Sequence, residues 1–363
     1  MRIDELTFFR FIAASIVVVF HFGSDATGFA GALAAGPQMV TFFFVLSGFV
    51  MGISYFNRDI INKSYWWARI ARIMPVYLLA IVLMVLSSYL QGKQVNNLSL
   101  FLNLSLLQAW FPPHPLSING PGWSLSVEAF FYLTFPFLLY GIKSRSMSVR
   151  HMMIASLFVW GVTQAITTGA LSAGFYGGFP SFSHDLIYYF PLTHFCSFIL
   201  GVYGAMWVLE KKCSITNNTA SFFIVGMITA TLVMLLNNES KISNFFELEF
   251  AFSSSFFAPI FLVFIVAVSI CRSKLIRMFS ARPLLLLGEA SFSLYILQIP
   301  IHQIYEKYIV GDLGLSPLVH FTLFFIILTI ASILSFILFE KPAMNFIRYS
   351  LPNAIRNTVN RSN

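Results

Sequence analysis

The sequence predicts an all-α membrane protein, a polytopic bundle of about ten transmembrane helices with both termini in the cytoplasm, and three observations carry that reading. The first is composition: of 363 residues, 58% are hydrophobic and 17% aromatic but only 10% charged, where a soluble domain carries about a quarter charged residues. Phe alone occurs 42 times; one soluble core of this size cannot hide so many rings, whereas hydrocarbon accepts them on the outside of a bundle. The second is a series of apolar runs, each long enough to cross about 30 Å of hydrocarbon. The third is the way basic residues alternate between the segments that join those runs.

The runs lie near residues 8–23, 37–56, 75–91, 123–142, 152–172, 191–209, 219–237, 250–271, 284–306 and 317–339. The first is short and contains Arg10, so hydropathy also allows a cleaved signal peptide with Ala32-Leu33-Ala34-Ala35 as its small-residue exit. With the amino terminus inside, Arg2 precedes the first run, and Arg58, Lys63, Arg69 and Arg72 separate the second from the third. Lys143, Arg145 and Arg150 follow the fourth run, Lys211 and Lys212 the sixth, and Arg272, Lys274, Arg277 and Arg282 the eighth. Lys341, Arg348, Arg356 and Arg361 follow the tenth, and all of these fall on the inner side. The opposite side receives only Lys93, Lys241 and Lys307.

That asymmetry accounts for the net charge of +8 without a nucleic-acid partner. Cys196, Cys213 and Cys271 are an odd number at wide spacing with no CxxC pair, which points to neither a metal site nor a disulfide framework. No fixed-period repeat and no Pro- or Ser-rich linker divides the chain. The expected organisation is one transmembrane domain over residues 1–345 and a basic cytoplasmic tail over 346–363. The loops near 92–122 and 173–190 are the longest on the outer side and carry Gly, Pro, His and aromatic residues, a composition fit to hold an acceptor.

Ionisable groups inside a span need a partner, a cavity or a function. Arg10 and His21 are separated by about 1,100° of helix and about 16 Å of rise, so they share one face but cannot touch. They read either as the two ends of a substrate track or as a snorkelling Arg and an interfacial His. Glu128 sits just inside the fourth run, where a lone carboxylate pairs or protonates. Its expected partner is His21, whose imidazole it would orient and make more basic, or Arg10 in a structural ion pair. Arg69 and Arg72 stand at i and i+3 on one helix face, as a two-guanidinium phosphate clamp or as an ordinary positive-inside anchor beside Trp66 and Trp67. Glu289 lies near the inner start of the ninth run. The remaining histidines show no HExxH spacing, so no metal is expected. No Walker lysine motif, dinucleotide glycine fingerprint or GxSxG elbow is present.

These residues fall within a set of motifs that runs nearly end to end: Arg10-Phe11-Ile12-Ala13-Ala14 with His21, Phe43-Phe44-Val45-Leu46-Ser47-Gly48-Phe49, and Arg69-Ile70-Ala71-Arg72 before Pro75. It continues with Asn119-Gly120-Pro121-Gly122-Trp123-Ser124-Leu125-Ser126-Val127-Glu128, Leu287-Gly288, Ser291-Phe292-Ser293-Leu294-Tyr295 and Phe339-Glu340-Lys341-Pro342. In this order the chain resembles the acyltransferase family 3 membrane proteins, which O-acylate lipopolysaccharide, peptidoglycan, exopolysaccharide and related glycans. The resemblance implies an inner-membrane O-acyltransferase that moves an acyl group, acetyl by expectation, from cytosolic acyl-CoA to a glycan hydroxyl. No bound cofactor is implied; acetyl-CoA is a co-substrate, and the partners are a glycan or lipid-linked glycan acceptor and membrane lipids.

Carried over residue by residue, His21 is the base and Arg69 and Arg72 contact acyl-CoA; Arg10, Asn119, Trp123 and Ser124 are further candidate substrate contacts read from the sequence itself. Glu128 is the expected partner in catalysis. Direct transfer and a histidine-bound acyl intermediate both remain open. The chain departs from the family at Gln298, where a His usually precedes the proline, and at His194 and Ser197, where relatives carry Arg and Glu. Some relatives also carry a fused esterase-like domain; none is expected here, and Gly311-Asp312-Leu313 lacks its serine. The alternatives are a polysaccharide or lipid-linked glycan flippase, which calls for repeat symmetry and broken helix pairs, and a non-catalytic protein of an envelope assembly machine.

Overall fold

The computed structural model describes residues 4–23, 35–58, 63–310, 314 and 316–350. Arg2, the Ala32–Ala34 exit, Gly311-Asp312-Leu313, Arg356 and Arg361 lie outside the described residues. Among the described residues the chain is helical without strands, and nine helices are long and apolar enough to cross a membrane. The apolar segments run α1 (Glu5–Phe22), α2 (Gly36–Tyr55), α3 (Lys63–Leu90), α4 (Trp123–Ser144), α5 (Val149–Ser172), α6 (Pro191–Lys211), α7 (Asn218–Leu236), α8 (Ala258–Ile270), α9 (Arg282–Tyr305) and α10 (Pro317–Ser335). Each expected span is there, but α8 is only 13 residues long, which is why nine helices meet the length for crossing rather than ten.

The shortening of α8 has a local cause. Ser254 (φ −114°, ψ 76°) and Ser255 (φ 64°, ψ 6°) leave helical geometry, so the helix starts only at Ala258. An irregular backbone is tolerated at membrane depth only where protein satisfies it. Here Trp160 Nε1 donates to the Ser255 carbonyl at 3.0 Å, Gln164 Nε2 donates to the Ser254 carbonyl at 3.2 Å, and the Ser254 hydroxyl donates to the Ile187 carbonyl at 2.8 Å. His194 completes the clamp, donating from Nε2 to the Tyr188 carbonyl at 2.9 Å and accepting at Nδ1 from the Ser255 hydroxyl at 3.3 Å.

Close helix approach rests on small residues, because lipid supplies no hydrophobic drive between helices. A Cβ on Gly48 of α2 would strike the Phe198 carbonyl of α6, and one on Gly201 of α6 would strike the Val45 carbonyl of α2. The family-type motif around Gly48 is therefore first a packing surface. α1 packs along α9 and α2. Between the helices lie buried rings such as Phe49, Phe131, Phe135 and Phe198, with Phe131 stacked on Phe198 at 4.7 Å. Phe137, Phe158 and Phe223 point outward from their spans, as lipid contact requires.

Two of the prolines inside helices are answered from a distance. Proline lacks the N–H that would bond the carbonyl four residues earlier. Pro136 of α4 so frees the Tyr132 carbonyl, and the buried Tyr65 hydroxyl of α3 donates to it at 2.7 Å. Pro300 of α9 frees the Ile296 carbonyl, and the Asn119 side-chain amide donates to it at 2.9 Å. These bonds satisfy the carbonyls that the two prolines free while α4 and α9 continue as helices.

Candidate active site

Two adjoining cavities, of about 300 and 450 Å³, lie among α1, α2, α3, α4, α9 and the segment after α10. Arg10 and Arg72 stand in the walls of both. The smaller also takes Arg69, Arg348, Glu128 and Ser124. The larger takes Glu289 and Lys341. Four guanidinium groups and one carboxylate stand in the wall of the smaller cavity, an excess of positive charge that the Glu340 carboxylate beside Arg72 partly offsets.

Arg10 and His21 share a face of α1 as the spacing requires, but they serve different environments. Arg10 reaches the cavities, whereas His21 is exposed near the far end of the helix and lies in neither cavity wall. The smaller cavity ends at Val40, Phe43, Ser124 and Tyr295, about one turn of α9 short of Gln298. Phe43 and Tyr295 close that end with ring centroids 5.9 Å apart. Beyond them His21 Nδ1 lies 2.8 Å from Gln298 Oε1. An open track from Arg10 to His21, expected from the helix geometry, is therefore interrupted at Phe43 and Tyr295.

Glu128 pairs with neither residue expected of it. Its Oε1 accepts from the Tyr132 hydroxyl at 2.5 Å and from the Ser47 hydroxyl at 3.3 Å. His21 bonds Gln298 instead, and Arg10 acts on Glu128 through its field rather than by a hydrogen bond. Tyr132 lies one helical turn from Glu128, and Ser47 belongs to α2, so hydroxyl groups rather than a charge hold the carboxylate.

Arg69 and Arg72 share one face but are held differently. The Arg69 guanidinium lies over the rings of Tyr132, Tyr55 and Tyr65 at 5.2, 5.6 and 5.8 Å, with Nη2 donating to the Tyr55 hydroxyl at 3.4 Å. Its buried Nε has no hydrogen-bond partner within the protein. Arg72 Nη1 is 3.1 Å from Glu340 Oε1, and its guanidinium lies over Phe292 at 5.0 Å. Glu340 is fully buried, and its Oε2 accepts from the Ser293 hydroxyl at 2.8 Å. One arginine is cradled by rings and the other is anchored by a carboxylate from the end of the chain.

Of the remaining candidates, Ser124 alone stands in a cavity wall; its hydroxyl donates to the Pro121 carbonyl and accepts from Tyr295, each at 2.9 Å. Asn119 donates its amide nitrogen to the Ile296 carbonyl, and its buried Oδ1 has no hydrogen-bond partner within the protein. Trp123 is buried between Tyr189 and His194, with centroids at 5.0 and 5.2 Å. Neither lines the void: Asn119 supports α9 and Trp123 packs among α2, α6 and the segment before α6. Gln298, Glu340, Ser47, Tyr132, Tyr295 and Arg348 belong to the site although sequence reasoning assigned them no role there. Their signal lay in the motifs around Ser47, Tyr295 and Glu340, which carried no charge-based argument of their own. Among the described residues no group of three or more His, Cys, Asp or Glu is placed to hold a metal ion.

A family model described as an acyltransferase domain matches residues 3–340. The acyltransferase MdmB of Streptomyces mycarofaciens is 32% identical over 152 residues, 38% of this chain and 39% of the relative. The peptidoglycan O-acetyltransferase OatA of Listeria monocytogenes is 24% identical over 319 residues, 80% of this chain and 48% of that relative. The O-acetyltransferase OatA of Staphylococcus aureus is 24% identical over 332 residues, 83% of this chain and 51% of that relative. The chain thus spans about half or less of the length of these curated relatives. No solved structure matches it.

Proposed function

The chain belongs to the acyltransferase family whose domain its residues 3–340 match, and from that membership we propose that it is a multi-pass O-acyltransferase of the inner membrane, moving an acetyl group from cytosolic acetyl-CoA to a hydroxyl of a cell-envelope or exported glycan. The observation that carries this reading is the membrane-embedded cavity with Arg10, Arg69, Arg72 and Arg348 in its wall. The names of the OatA relatives supply the O-acetyl group and, for one of them, a peptidoglycan acceptor.

In this scheme the basic end of the bundle, with Lys341 and Arg348, faces the cytoplasm and receives the phosphates of acetyl-CoA. Arg69 and Arg72 grip the donor within the cavity, and the charge of Glu128 offsets part of the cluster once the donor has left. Phe43 and Tyr295, which close the cavity, have to part for the thioester arm to reach His21, which meets the acceptor from the other face. The acceptor O–H gives its proton to the imidazole as its oxygen attacks the thioester carbonyl. The tetrahedral adduct collapses, the C–S bond breaks, and the CoA thiolate leaves and takes up a proton. Glu128 acts on the arginines and the donor, not on the imidazole, because it is bonded to Tyr132 and Ser47.

Mass spectrometry of envelope and exported glycans from cells with and without the gene tests the proposal. It predicts an acyl mass increment on one glycan fraction that disappears with the gene. An unchanged acyl pattern in every fraction contradicts it. A flippase of the same acceptor would leave purified protein unable to release CoA from acetyl-CoA, which separates the two functions directly.

A further inference from the structure

We propose that Gln298 is the positioning residue of the reaction, holding His21 as the neutral Nδ1–H tautomer so that Nε2 is the nitrogen that accepts the proton. The proposal rests on His21 as the base. It follows from how completely the Gln298 amide is committed.

Gln298 is fully buried on α9, and its two amide atoms have different neighbours. Nε2 donates to the Tyr295 carbonyl at 2.6 Å, and Oε1 meets His21 Nδ1 at 2.8 Å. Turning the amide over would set its oxygen against the Tyr295 carbonyl oxygen, two acceptors in contact, so Oε1 faces the ring. An amide oxygen only accepts, and therefore Nδ1 carries the hydrogen. In a neutral imidazole the lone pair then resides on Nε2.

The backbone keeps this amide in place. Pro300 strands the Ile296 carbonyl two residues before Gln298, and Asn119, itself fully buried, ties that carbonyl to the segment leading into α4. Tyr295, whose carbonyl receives the Gln298 amide, is itself tethered to Ser124 by its hydroxyl. The turn of α9 that leads into Gln298 is thus fixed from outside the helix, at Tyr295 and at Ile296. On α1, Phe22 beside His21 stacks on His302 at 4.1 Å, which fixes the end of the helix that presents the ring. A carboxylate at 298 would favour the imidazolium, which is the spent form of the base; a neutral amide orients the ring without doing so.

The test uses purified protein in lipid bilayers, with ¹⁵N-histidine labelling and solid-state NMR. His21→Gln identifies the His21 signals by their loss. The proposal predicts a protonated Nδ1 and an unprotonated Nε2 in the wild type, and a mixture of tautomers in Gln298→Met, which keeps the shape but loses the acceptor. Gln298→Glu, whose carboxylate favours the imidazolium, protonates both ring nitrogens and does not keep the single neutral tautomer. In cells, Gln298→Met and Gln298→Glu each lower acylation of the glycan about tenfold or more, at equal membrane level. In the same bilayers Gln298→Met retains labelled acetyl-CoA as the wild type does.

A protonated Nε2 in the wild type, or an unchanged tautomer in Gln298→Met, overturns the inference whatever the activities show. Full acylation by His21→Ala with the expected NMR pattern would instead overturn the catalytic reading and leave the tautomer assignment standing. Loss of acylation in His21→Ala, with Gln298→Met as active as wild type, would spare that reading and defeat the role given to Gln298.

Discussion

Asn119 donates its side-chain amide to the Ile296 carbonyl, the group that Pro300 deprives of its helical partner. The bond makes a motif asparagine the partner of the one carbonyl that Pro300 frees in a continuous helix. Asn119→Ala leaves that buried carbonyl unpaired and costs about 1–3 kcal/mol. Pro300→Ala restores an N–H to α9, so the cost of Asn119→Ala shrinks towards zero when the two changes are combined. Thermal unfolding of the four proteins in detergent measures the coupling; additive losses would contradict the pairing role.

Removing Glu340 strands Arg72, whose Nη1 it holds at 3.1 Å, beside the fully buried site that the carboxylate vacates. Glu340→Ala is expected to destabilise the protein by about 3 kcal/mol, and adding Arg72→Ala recovers part of the loss. Size-exclusion profiles of fluorescently tagged variants after a heating series report it. A double variant weaker than Glu340→Ala would show that the pair is not the reason the carboxylate is buried.

Binding of labelled acetyl-CoA to protein in lipid nanodiscs should weaken about tenfold or more in Arg69→Ala with Arg72→Ala, and less in Arg348→Ala. Arg69→Lys is also expected to bind poorly, because an ammonium lacks the flat face that Tyr55, Tyr65 and Tyr132 surround. Unchanged retention in the double variant would remove the phosphate clamp from the account.

Outside the spans, the Glu239 carboxyl is held above its ordinary range by burial, an effect partly offset by the bond it accepts from Gln38 at 2.7 Å. A raised folded pKa means that the folded state binds this proton more tightly than the unfolded chain does. Its contribution to stability is therefore complete below the ordinary pKa of 4.5 and is lost as pH rises through the folded value. The melting temperature of Glu239→Gln minus that of the wild type should rise with pH across that window. A flat difference would count against the burial effect.

The spans were legible because run length and the alternation of basic residues act through the bilayer itself. The break before α8 was not: Ser253-Ser254-Ser255 contains neither Gly nor Pro; its left-handed residue, Ser255, is held by Trp160 and His194 and the preceding Ser254 by Gln164, all from other helices. In the site, intramembrane charge led to Arg10, Arg69, Arg72 and Glu128, which do meet in one cavity. Their partners depend on how helices align across the bundle, which periodicity within one helix does not contain. Arg72 finds Glu340 from the far end of the chain, and Glu128 takes hydroxyl groups where an ion pair was expected. Gln298 escaped notice as the partner of His21 because a neutral amide raises no alarm in a search for buried charge.

The imidazole of His21 bears the greatest weight, and replacing it is the most direct measurement. Acyl esters on the glycan fraction are quantified by mass spectrometry in cells expressing wild type or His21→Ala at equal membrane level, with CoA release from acetyl-CoA followed on the purified proteins. The account predicts that His21→Ala abolishes both signals while still retaining labelled acetyl-CoA. Undiminished ester formation by His21→Ala would contradict it.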